Sequence, residues 1–253
     1  YYADRIVELP LGVFAIAVGT AALPSFSAQI AKGQTEEWKK TISFSLRLIL
    51  FIAIPATVAI IFLRVPIISV LFQHGAFDLD STLMTAKALL FYTLGLWAFS
   101  TIRVIVSAFY SLQDTKVPMK AAIVALIVNV VCSVILMWPL QHGGLALATS
   151  IASAVNVIML SVILKRRVGA FLDETFYRSC GKIAVSSLAM WLSLLLVDWA
   201  IPWQNDGAFS GRLFHLCLSI AAGMSVFFCA SWLQKSPELV LFISAVKRRI
   251  GRK

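Results

Sequence analysis

FSLRLILFIAIPATVAIIFL, residues 44–63, is an apolar run whose single charge is Arg47. An α-helix needs about 20 such residues to cross roughly 30 Å of hydrocarbon. Backbone N–H and C=O groups cannot be left unpaired in lipid, so a run of this length must be helical. Its apolar residues are continuous rather than alternating, which excludes a barrel strand. Reading outward, the same signature recurs at 6–25 on one side and at 83–110, 121–138, 143–164, 183–201 and 213–233 on the other. The seven stretches predict an all-α, polytopic membrane bundle.

Composition agrees. Of 253 residues, 60% are apolar and 13% charged, against roughly 25% charged in an average soluble domain. There is too little polar surface to cover a water-soluble globule, which excludes a soluble enzyme, a disordered regulator and a disulfide-stapled secreted module. The net charge of +10 would suggest nucleic acid in a soluble protein. Here the basic residues cluster between apolar runs, so they read as topology signals and contacts to anionic membrane lipids, with no nucleic-acid partner. Cys132, Cys180, Cys217 and Cys229 lack C-x-x-C spacing and read as small core side chains. The chain opens at Tyr1 rather than Met, with no signal-peptide pattern, and is expected to be part of a longer protein.

The loops alternate in charge. One side carries Lys32, Lys39, Lys40, Lys116, Lys120, Lys165, Arg166, Arg167, Arg178, Lys182, Lys235, Lys247, Arg248, Arg249, Arg252 and Lys253; the other has Arg5, Arg64 and Arg212. The positive-inside rule predicts a cytoplasmic C-terminus and an N-terminus outside. Several boundaries have local causes. Thr35-Glu36-Glu37 predicts the capped start of a short cytoplasmic helix, with Trp38 at headgroup level. Asp114-Thr115 predicts a cap for the fourth span, with Pro118 in its first turn. Pro139, Gly143 and Gly144 predict a tight outer turn. Residues 65–72 are too few to cross and are expected to lie along the outer interface before Gly75. Lys165-Arg166-Arg167 reads as a stop signal and an anionic-lipid contact.

Charges within spans are costly and are default functional candidates. Arg5 and Glu8, with Asp4 beside them, read either as a local i,i+3 ion pair or as groups facing a water-filled cavity that binds an anion. Arginine suits phosphate because its planar fork donates two parallel hydrogen bonds. Arg103 lies deeper, between snorkelling and lining a cavity. Arg47 and Lys87 are expected to snorkel to the span ends. Asp198 is expected in the headgroup zone, and His215 to be satisfied locally. Asn129 and Ser133 on span four, and Thr149, Ser150, Ser153 and Asn156 on span five, read as interhelical packing or as an ion or substrate site. Pro10, Gly12, Gly19 and Pro55 permit bends. No catalytic or firm metal constellation is present: there is no H-E-x-x-H, G-x-S-x-G or P-loop, and the last span has no lysine for a Schiff base.

Particular strings carry a resemblance. Tyr2-Ala3-Asp4-Arg5, Leu9-Pro10-Leu11-Gly12 and Gly19-Thr20-Ala21-Ala22-Leu23-Pro24 are followed by Leu71-Phe72-Gln73-His74-Gly75-Ala76-Phe77. Then come Tyr92-Thr93-Leu94-Gly95-Leu96, the run from Phe109 to Pro118, and Gly144-Leu145-Ala146-Leu147-Ala148-Thr149-Ser150. In this order and spacing, residues 1–164 resemble the second half of the MurJ (MviN) family, within the multidrug/oligosaccharidyl-lipid/polysaccharide exporter superfamily. Residues 165–253 match in layout but not in motif.

The resemblance implies the last seven helices of a fourteen-helix transporter, with an N-terminal half of the same protein as partner. It implies a transport lobe at 1–164, two further helices with a lipid-tail groove at 165–233, and a basic cytoplasmic tail at 234–253. The implied activity is flipping lipid II, the undecaprenyl-pyrophosphate-linked peptidoglycan precursor, across the bacterial inner membrane by alternating access. Arg5 matches a cavity arginine of the family. A sodium site would fall at Asn129, Ser133, the Leu145 carbonyl and Thr149, although Ser133 stands where the family has an acid; membrane-potential coupling is the other expectation, with no organic cofactor. Competing readings are a drug or other lipid-linked oligosaccharide exporter of the same superfamily, a seven-span receptor and a membrane enzyme.

Overall fold

The computed structural model describes residues 2–10, 16–75, 77–204 and 208–239. In chain order its helices are α1 (Tyr2–Pro10), α2 (Ile16–Ala31), α3 (Thr35–Phe72), α4 (Leu79–Thr93), α5 (Leu96–Ser111), α6 (Lys116–Leu140), α7 (His142–Val168), α8 (Glu174–Ala200) and α9 (Phe209–Leu233). Among the described residues, six helical stretches are long and apolar enough to cross a membrane: Thr35–Phe72, Leu79–Ser111, Lys116–Leu140, His142–Val168, Glu174–Ala200 and Phe209–Leu233. The expected first span, 6–25, falls on α1 and α2; residues 11–15 between them, Gly12 included, lie outside the described residues.

The spine is α3. Its 38 residues extend roughly 57 Å at 1.5 Å per residue, well beyond the hydrocarbon. Two sequence expectations are corrected here. Residues 35–40 are not a separate short helix but the first turns of α3, and 65–72 do not lie along the interface but continue it. Packing is the reason. Pro66 and Ile68 are buried, and Ile68 joins Ala3, Val7, Ile60, Leu89 and Leu96 in one apolar cluster. Trp38 faces the inside of the bundle. It is fully buried, edge-on to Phe26, and its Nε1 donates to Ser111 Oγ at 3.0 Å, so the indole keeps a polar partner inside the bundle.

Around this spine, Phe26, Ile42, Leu46, Ile105, Phe109 and Leu160 join α2, α3, α5 and α7 in the largest core. Helices α8 and α9 pack on each other and on α3, with Phe51 against Phe227. Outward faces stay apolar: Leu126, Ile127, Val130, Val134 and Ile135 of α6 are exposed, as a lipid-facing helix requires. Cys217 and Cys229 are exposed rather than in the core, and all four cysteines are free.

Caps follow carboxylates more than hydroxyls. The residue before α3 is Gln34, and no side chain caps it; Thr35 is already helical. Asp114, not Thr115, caps α6: its Oδ1 accepts from Lys116 N at 3.0 Å and Val117 N at 3.1 Å. Asp78 caps α4 by accepting from Ser81 N, and Asp173 caps α8 by accepting from Phe176 N. Asp114 Oδ2 also pairs with Arg167 at 2.5 Å, so that arginine of the 165–167 cluster is engaged by protein.

The third expected span, read as continuous over 83–110, is broken at Leu94 and Gly95. Ser150 Oγ of α7 donates to Phe91 O at 2.6 Å just before the break. A Cβ at Gly95 would stand 2.6 Å from Ser150 Oγ and 2.9 Å from Ser150 Cα, so the break seats α7 against backbone. The turn between α6 and α7 is as tight as expected: a Cβ at Gly144 would meet Leu136 O at 2.2 Å.

Candidate functional site

A cavity of about 840 Å³ opens between α1, α2, α4, α5 and α7. Its charged lining is Asp4 and Glu8 from α1 and Arg103 from α5; Thr20, Tyr92, Ser107, Tyr110 and Thr149 add polar groups. Each charge is placed by local packing. Ala3 and Val7 are buried against α3 and α4, which turns Asp4 and Glu8 toward the opening one turn apart. Gly19 lets α2 approach α5, because a Cβ there would lie 3.2 Å from Arg103 Cβ. Ser107 Oγ then ties the two helices, 3.1 Å from Gly19 O and 2.9 Å from Arg103 O.

Of the four predicted substrate-binding residues, Asp4, Glu8 and Arg103 share this wall. Arg5 stands beside it, with its guanidinium 2.8 Å from Glu8 Oε2 in an exposed i,i+3 pair. Exposed pairs of this kind are worth about 0.2–1 kcal/mol, so an incoming anion can compete for the arginine. Arg103 is exposed to the cavity, and among the described residues it makes no ion pair. Sequence reasoning missed Tyr92, Ser107 and Tyr110. A signal existed for two of them: Phe99, Arg103, Ser107 and Tyr110 recur every three or four residues and so make one stripe of α5.

The residues of the expected ion site make hydrogen bonds within their own helices. Ser133 Oγ donates to Asn129 Oδ1 at 3.0 Å within α6, and Thr149 Oγ1 donates to Leu145 O at 3.0 Å within α7. Among the described residues no hydrogen bond joins the two pairs, and no cluster of three His, Cys, Asp or Glu side chains exists. All four would offer neutral oxygens, whereas a hard cation is held more tightly where a carboxylate is among its ligands. Thr149 instead lines the cavity.

Outside the cavity, two expectations change. Arg47 does not snorkel: its side chain is 16% exposed and lies 3.7 Å from Glu238, which is 1% exposed. Glu238 also accepts from Ser179 Oγ at 2.8 Å and Ser236 Oγ at 2.7 Å, so the start of the segment read as a tail is docked on α3 and α8. His215 is buried but not satisfied, because among the described residues neither ring nitrogen has a hydrogen-bond partner. Lys87 is exposed, and Asp198 is partly so.

The carboxylates at the helix starts are held ionised. Asp114 lies below its ordinary 3.8 chiefly through the Val117 N–H, helped by Arg167. At Asp173 partial burial pushes the carboxyl up, but the Ser43 and Thr175 hydroxyls and the Phe176 N–H together outweigh it and hold it below 3.8.

Comparison with known proteins decides the family. The model of the family described as lipid II flippase MurJ matches residues 1–207. The chain belongs to the MurJ family. A probable lipid II flippase MurJ of Buchnera aphidicola subsp. Acyrthosiphon pisum (strain APS) is 34% identical over 216 residues, 85% of this chain and 42% of the relative. One from Rhizobium meliloti (strain 1021) is 32% identical over 249 residues, 98% of this chain and 46% of the relative. A solved structure described as lipid II flippase MurJ in an inward closed conformation superposes with a TM-score of 0.76 at 29% identity, covering 92% of this chain and 45% of that one. The chain therefore spans a little under half the length of these MurJ relatives.

Proposed function

We propose that this chain supplies one wall of a lipid II flippase, which moves the undecaprenyl-pyrophosphate-linked precursor from the inner to the outer leaflet of the bacterial inner membrane. The observation that carries the reading is Arg103, a span arginine that makes no ion pair among the described residues and stands in a cavity wall, with Arg5 close by in an exchangeable pair. A pyrophosphate cannot cross hydrocarbon unaided, and guanidinium groups in a hydrated cavity replace its water shell. Glu8 holds Arg5 until the anion takes it, and the undecaprenyl chain stays in lipid along the exposed apolar faces of α8 and α9.

Alternating access follows from rocking of this lobe, residues 1–164, against the remaining half of the transporter. The positive-charge bias supports a periplasmic N-terminus and a cytoplasmic C-terminus for this chain. We assign no step to sodium. An inside-negative membrane potential favours outward movement of an anionic headgroup by about 2.3 kcal/mol per charge per 100 mV. The alternative, a drug exporter of the same superfamily, draws its support from Asp4 and Glu8, which could hold a cation in the same wall.

The test is rescue of bacteria depleted of their lipid II flippase by the gene that encodes this chain. Growth with normal cell shape is expected. Lysis despite good membrane expression would overturn the reading and favour the exporter.

A further inference from the structure

A second cavity, about 350 Å³, lies where α3 and α8 end and α9 begins; Arg64, Trp191, Asp198, Trp203 and His215 line it. It is separate from the transport cavity and shares none of its residues. His215 is 4% exposed, yet among the described residues neither Nδ1 nor Nε2 has a hydrogen-bond partner. Its Nε2 stands 3.8 Å from Asp198 Oδ1, too far for a hydrogen bond. A buried imidazole with both nitrogens unmet is costly, and such groups call for an occupant that bonds to them.

The charges say which occupant. Arg64 spends one N–H on Ile61 O at 2.6 Å, leaving most of its five donors. Asp198, partly exposed, accepts no hydrogen bond among the described residues, and it makes no ion pair with Arg64 although both line the same pocket. The other nearby guanidinium, Arg212, is already held by Ser69 Oγ at 2.9 Å and Gln73 Oε1 at 3.0 Å. A separated cation and anion, a buried imidazole and two indoles, one on α8 and one just past its end, suit a ligand with both phosphate and ammonium.

We propose that this pocket binds the headgroup of a zwitterionic phospholipid of the ethanolamine-phosphate type. Its phosphate sits on Arg64, its ammonium on Asp198, and His215 bonds to the headgroup between them. Leu188, Leu192 and Leu195, exposed on the α8 face that carries Trp191 and Asp198, receive the acyl chains. The inference does not rest on the transport reading, since no residue is shared.

The experiment is native mass spectrometry of the purified, delipidated protein titrated with phosphatidylethanolamine, phosphatidylglycerol or inorganic phosphate. Wild-type protein is expected to retain phosphatidylethanolamine about fivefold better than phosphatidylglycerol, which lacks the ammonium. Arg64→Gln and Asp198→Asn are each expected to lower that retention about tenfold, the loss of one charge-assisted contact. Equal retention of both lipids by wild-type protein would overturn the proposal without any variant having to fold. Unchanged retention in both variants would also overturn it. Binding of inorganic phosphate as tight as that of phosphatidylethanolamine would mark a free-anion site and overturn the lipid assignment.

Discussion

Arg47 and Arg103 look alike in the sequence, each an arginine within an apolar run, yet the fold treats them in opposite ways. Arg47 is drawn inside, against a carboxylate that is itself almost wholly buried and held by two serines. Arg103 stands open to a cavity with no ion-pair partner among the described residues. Taking a charge out of water costs several kcal/mol unless a partner compensates. A span arginine that has found its counter-charge serves the fold, whereas one kept in a hydrated cavity keeps its hydrogen bonds for a ligand.

The sharpest way to break this contrast is Glu238→Ala, which leaves Arg47 buried without its counter-charge. A loss of about 3 kcal/mol is expected, read as early thermal unfolding in detergent, with Arg47→Met/Glu238→Leu recovering most of it. Wild-type melting of Glu238→Ala would mean the pair is not structural. At the cavity the pattern reverses. Arg103→Ala is expected to cut lipid II translocation tenfold or more, about the worth of one or two charge-assisted hydrogen bonds, while stability shifts by less than about 0.5 kcal/mol. An equal loss of stability would return Arg103 to the structural class.

Smaller effects sharpen the frame that holds the wall. Gly95→Ala places a methyl against Ser150 at the α4–α5 break and should cost about 1–3 kcal/mol by overpacking, measured by the same melting assay. Asp173→Ala should cost about 1 kcal/mol as a lost cap and also change the acid limb. The folded carboxyl lies below 3.8, so its contribution is complete above that pH and is lost as pH falls through the lower folded value. The variant should show a shallower decline of stability in that window; an unchanged slope would detach Asp173 from the linkage.

The membrane class was legible from 44–63 alone, because run length against bilayer thickness leaves no other reading. The family was legible in ordered strings such as Gly144–Ser150. Helix breaks were not. Leu94 and Gly95 sit within an apolar run, and the approach of Ser150 to the backbone there accompanies the interruption. The length of α3 was hidden because Arg64 resembles a span end, while burial of Pro66 and Ile68 carries the helix on. At the site, Asp4, Glu8 and Arg103 were readable because charge in a span is rare. Arg47's role was not, since its partner Glu238 lies 191 positions away in a segment that reads as a solvated tail.

Thiol accessibility tests the central claim most directly. In protein whose four native cysteines are replaced by serine, Arg103→Cys and Arg47→Cys are exposed in membranes to a small anionic methanethiosulfonate. Cys at 103 should react quickly and be protected by lipid II, while Cys at 47 stays unmodified. An unreactive 103, or labelling that lipid II leaves untouched, would contradict the account.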